Sequence, residues 1–140
     1  MSPTLTRADW LSLGIIALTL ASGLVLWNRL PAEMAVHFSA SGEPDNFVSR
    51  PIAVASMPLL MGATLLFIEG AGRVDPPEDP SVLGVVTVAT MALMAAAQGY
   101  IVAENLGYAV PFSLFMAGIA VWVVLVVGYT VVRERTSLPA

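Results

Sequence analysis

The run WLSLGIIALTLASGLVLW, from Trp10 to Trp27, contains no charged side chain, and none occurs anywhere between Asp9 and Arg29. As a helix rising about 1.5 Å per residue it spans roughly 27 Å, just enough to cross the hydrocarbon of a bilayer. A tryptophan stands at each end, where an indole with an apolar body and one polar N–H anchors at the headgroup level. A cleavable signal peptide has a shorter apolar stretch, about 7 to 15 residues, behind a positive flank. Here only Arg7 stands upstream, and Asp9 offsets it. Residues 10–28 therefore read as an uncleaved first span.

Three more uncharged runs follow. Residues 51–68 (PIAVASMPLLMGATLLFI) lie between Arg50 and Glu69, with Pro51 suited to a first helical turn and Pro58 placed to kink the helix. Residues 81–103 begin after Asp79-Pro80, an acid that caps N–H groups and a proline that starts a helix. Residues 112–132 follow Pro111 and end at Arg133, a helix of roughly 32 Å. The link 104–110 is short enough to make the third and fourth helices antiparallel neighbours. The expected fold class is all-α: an integral membrane four-helix bundle with a structured loop between helices 1 and 2.

Composition agrees with this reading. The chain has 140 residues, 57% hydrophobic and 11% charged, where a soluble domain is about a quarter charged. It has no cysteine, which excludes a disulfide scaffold, a thiolate metal site and a cysteine nucleophile. Its net charge is −4 and its basic residues are six scattered arginines, so it has no basic patch for nucleic acid. The acidic turn VDPPEDP, Val74 to Pro80, stays in water. Four crossings place Arg7, Arg73, Arg133 and Arg135 on the face that holds both termini and Arg29 and Arg50 on the other. Arginine excess marks the cytoplasmic side, so the expected arrangement is a multi-pass cell-membrane protein with cytoplasmic termini and loop 29–50 outside.

Lipid offers helices no hydrophobic drive to associate, so small residues that allow close approach are candidate contacts. Ala95, Gly99 and Ala103 recur every fourth residue on the third helix, as do Ala17 with Ala21 and Thr19 with Gly23 on the first. Gln98 is the most polar side chain in any span, and its amide should bond another helix.

Polar chemistry gathers in one place. Loop 29–50 holds Arg29, Glu33, Glu43, Asp45, Arg50 and the only histidine, His37. Pro31 stops the first helix. Met34 to Ser39 reads as extended, with Val36 and Phe38 on one side and His37 and Ser39 on the other. Ser41-Gly42-Glu43-Pro44-Asp45 is a turn, after which Phe47 and Val48 restore apolar character.

The pattern LP-x(4)-VHF-x(3)-GEPD-x(3)-SR, Leu30 to Arg50, resembles the signature of domain-of-unknown-function family 1648 (DUF1648) in prokaryotic membrane proteins. The resemblance covers about residues 10–68 and rests on the joint spacing of Pro31, His37, Gly42, Asp45 and Ser49. Ser39 stands where the family commonly has an asparagine, and residues 81–140 carry no motif of the multi-span region that often follows the domain. The resemblance implies a membrane module of the kind found in SdpI-type proteins, which confer immunity to a secreted toxin and take part in its signalling.

The candidate ligand-binding loop is therefore Pro31, His37, Phe38, Gly42, Glu43, Asp45, Ser49 and Arg50. His37 is expected to staple the loop to the bundle mouth, and Arg50 to pair with Asp45. His37, Glu43 and Asp45 are weak metal candidates that lack the spacing of a known metal motif. No span contains Asp, Glu, Lys, Arg or His, which argues against ion-coupled transport, and no nucleophile motif, phosphate loop or HExxH supports an enzyme. The expectation is a non-enzymatic recognition, immunity or signalling module without cofactor. It sits in the lipid bilayer and binds a toxin peptide or a partner membrane protein. The alternative is a subunit of a transporter or channel-like complex, and homo-oligomerisation stays open.

Overall fold

The computed structural model describes residues 4–137. Its helices are α1 (Arg7–Val25), α2 (Arg50–Val74), α3 (Pro80–Asn105) and α4 (Phe112–Ser137), and two strands, β1 (Glu33–Phe38) and β2 (Pro44–Ser49), lie between α1 and α2. All four helices are long and apolar enough to cross a membrane.

Capping groups, not the nearest charge, set the starts of α1 and α3. Thr6 and Asp9 form a capping box: Asp9 N donates to Thr6 Oγ1 at 3.2 Å and Thr6 N to Asp9 Oδ2 at 2.7 Å. The first helix thus begins before Trp10 and takes Asp9 inside. Asp79 caps α3 by accepting from Ser81 N at 2.9 Å, with Pro80 in the first turn. α2 continues past Glu69 to Val74, beyond the expected 51–68, because Glu69 and Arg73 do not oppose a helix that has left the hydrocarbon. Pro58 removes one N–H from α2, and the helix runs on through it.

α1, α2 and α3 pack against one another, whereas α4 lies beside α3 alone and buries none of its residues. One core cluster joins Met61, Leu65 and Met91, with Ala95 packed on it. A second joins Leu30, Met34, Ala53, Val54 and Val102 at the opposite end. At Gly23 the backbone of α1 passes so near α2 that an added Cβ would meet Val54 Cγ1 at 2.6 Å. Gln98 is buried, and its Nε2 donates to the Ala53 carbonyl of α2 at 2.9 Å.

The small-residue stripes do not all face inward. Thr19 and Gly23 are buried, but Ala17 and Ala21 are exposed. Ala103 is half-buried, while Gly99 is exposed and an added Cβ there would meet nothing within 4 Å. Gly99 sits at the rim of a groove facing Ile15, Leu18, Thr19 and Ser22, because Gln98 and Val102 occupy the buried side of this turn. The close α1–α3 approach is instead at Gly84, beside Ala8.

Where the acidic turn meets α4, Glu134 accepts from the amides of Glu78 and Asp79 at 3.0 and 3.2 Å. Arg133 pairs with Asp79 at 2.7 Å. The Ser81 hydroxyl and amide, with Arg133, hold the Asp79 carboxyl below the usual carboxylate range.

Candidate functional site

The loop is a β-hairpin. β1 and β2 pair antiparallel, Glu33 opposite Ser49, Met34 opposite Val48 and Ala35 opposite Phe47. The register then jumps, so that His37 pairs with Asn46 and Val36 is left as the extra residue of a bulge. The extended segment expected from Met34 is present. The second strand, Pro44–Ser49, was not anticipated, because its apolar alternation is confined to Phe47 and Val48. Two bonds close the turn: Ser39 N donates to Glu43 O at 2.8 Å and Gly42 N to Ser39 O at 2.9 Å. Gly42 has φ +85°, a left-handed conformation that side chains rarely adopt, and an added Cβ would lie 2.8 Å from Phe112 Cβ. The turn therefore rests on the first residue of α4.

Three contacts mount the hairpin on the bundle. Asn105, at the end of α3, accepts from Ala35 N through Oδ1 at 2.9 Å and donates from Nδ2 to Ala35 O at 2.8 Å. Phe38 meets the Tyr100 ring edge-on at 5.2 Å and Phe112 at 6.4 Å, and Tyr100 stacks on Phe115 at 4.4 Å. At the base, Arg50 N donates to Ala32 O at 2.8 Å. The Arg50 guanidinium lies 5.2 Å over the Trp27 ring and donates to the Trp27 carbonyl at 2.8 Å.

This geometry replaces two expectations. Arg50 does not pair with Asp45, because the first turn of α2 carries its side chain back to Trp27 at the foot of the hairpin. Nor does His37 staple the loop to the bundle. Its Nδ1 stands 2.5 Å from Asp45 Oδ1 across the hairpin, and the two side chains are 68% and 45% exposed. Asn105, Tyr100 and Phe112 do the stapling, and sequence reading missed all three. A polar side chain ending a long apolar helix was the one available hint at Asn105.

The remaining candidates scatter around this dyad. Pro31 lies in the link before β1, and Ser49 is the residue before α2, with no side-chain capping bond. Glu43 and Phe47 are exposed. Among the described residues no group of three or more His, Cys, Asp or Glu side chains gathers to hold a metal, so Glu43 does not join His37 and Asp45. A cleft of about 300 Å³ opens between the turn and the α3–α4 link, lined by Ser41, Gly42, Tyr100, Glu104 and Phe112. Chemically, the hairpin offers an outward imidazole–carboxylate pair and, on β2, the exposed phenyl ring of Phe47, on a support fixed by backbone hydrogen bonds and aromatic packing.

Residues 14–62, from α1 through the hairpin into α2, match the family described as Domain of unknown function (DUF1648). No curated protein and no solved structure matches the chain. With this domain and four apolar helices, the chain is a multi-pass membrane protein.

Proposed function

We propose that this protein is a non-enzymatic module of the cell membrane that uses its 29–50 hairpin, displayed on the outer face, to recognise a toxin peptide or a partner membrane protein in immunity or signalling. The observation that carries this reading is the contrast within one hairpin. Met34 and Ala35 are buried and clamped, whereas His37 and Asp45 are exposed and paired with each other. A loop serving only to connect two helices gains nothing from rigid display of its polar face, while a binding element does, since preorganisation lowers the cost of association. The arginine excess on the face of the termini supports a cytoplasmic position for them.

A second reading, a subunit of a transporter or channel-like complex, draws on α4, which buries nothing within the chain and leaves most of its surface free for other subunits.

The test is a pair of variants. His37→Ala and Asp45→Ala should each abolish protection or partner binding in cells while membrane abundance stays at the wild-type level. Equal loss of abundance in both would mark the pair as structural and contradict the recognition role.

A further inference from the structure

α1 carries an ionisable side chain deep in its packing face. Asp9 is only 6% exposed, and Ser12, one turn further on, is fully buried. One Asp9 oxygen is occupied: the amide and hydroxyl of Thr6 donate to Oδ2 at 2.7 and 2.9 Å. Asp9 Oδ1 and Ser12 Oγ are buried without a protein partner. From α2, Glu69 brings its carboxyl group beside that of Asp9, and Arg73 stands one helical turn beyond it. Two carboxylates are both acceptors, so neither satisfies the other.

The charges of Asp9 and Glu69 exceed that of Arg73 by one, and Arg7 is exposed to solvent. What is missing is thus one positive charge that can be shared by carboxylate and hydroxyl oxygens, the donor set of a hard cation. A single excess charge calls for a monovalent ion, and two carboxyl groups with one hydroxyl are the hard oxygen donors that suit Na⁺. We propose that Asp9, Ser12 and Glu69 form a binding site for a monovalent metal cation of the size of Na⁺, between α1 and α2 at the end of the bundle that holds the termini. The site lies at the opposite end from the hairpin and does not depend on its function.

The test is thermal unfolding of the purified chain in detergent, in NaCl and in choline chloride at equal ionic strength. Na⁺ should raise the wild-type midpoint saturably and choline should not. Glu69→Gln keeps the shape of the half-buried residue and should weaken the apparent Na⁺ affinity by roughly tenfold or more, the loss of one charged contact. Ser12→Ala should weaken it to a lesser degree. Equal wild-type midpoints in both salts, an unchanged Na⁺ response in Glu69→Gln, or a midpoint that follows pH and ignores Na⁺ would each overturn the proposal.

Discussion

Asn105 grips both backbone polar groups of Ala35, at 2.9 and 2.8 Å, and so ties the hairpin to the far end of a helix 70 residues away in the chain. Ala35 is itself buried, so its N–H and C=O would otherwise lie unsatisfied away from water. Asn105→Ala should therefore cost about 1–3 kcal/mol in the closed form of the hairpin. Hydrogen–deuterium exchange would show it as faster exchange across 33–49 with α1 to α4 unchanged. Unchanged exchange in the hairpin would mean that the aromatic contacts alone hold it.

The α1 backbone at Gly23 lies directly against the Val54 side chain of α2. Gly23→Ala should destabilise the bundle by about 1–3 kcal/mol through overpacking. Adding Val54→Ala, which removes the two methyls in the way, should recover part of that loss, giving a double-variant cost below the sum of the singles. Unfolding midpoints in detergent for the four proteins of this cycle measure the coupling.

The four spans were legible because exclusion of charge from a bilayer-long run is a local property that composition displays directly. Their ends were less so. Thr6 and Asp9 extend α1 outward through a capping box, and Glu69 to Val74 extend α2 into water, where a charge no longer marks a boundary. Asp9 looked like a flanking charge for the same reason, and proves to be buried. In the hairpin, Gly42 and the extended Met34–Phe38 segment were readable from turn chemistry and alternation. Asn105 was not, because its role exists only once α3 has brought it beside Ala35. Arg50 and Asp45 looked like partners because they are close in sequence. The hairpin instead brings the Asp45 side chain to His37, and the start of α2 turns Arg50 onto Trp27.

Asp79 supplies a pH dependence. Its carboxyl titrates lower in the folded chain than in the unfolded one, chiefly through Ser81 and then Arg133. The stability it contributes is therefore fully present above the unfolded value of about 3.9, and is lost as pH falls through the lower folded value. The protection of the amides in residues 75–82, taken relative to their intrinsic exchange rate at each pH, should be constant near neutral pH and fall below about pH 4. In Asp79→Asn this acid-dependent step should disappear. A step of undiminished size in that variant would assign it to another carboxylate.

The absence of native cysteine permits the most direct test of the central claim, four crossings with the hairpin and the acidic turn on opposite sides of the membrane. Ser41→Cys, in the hairpin turn, and Glu78→Cys, between α2 and α3, are treated separately in intact cells with a membrane-impermeant maleimide. Ser41→Cys should label at once, and Glu78→Cys only after the membrane is permeabilised. Labelling of both positions from the same side would contradict the arrangement.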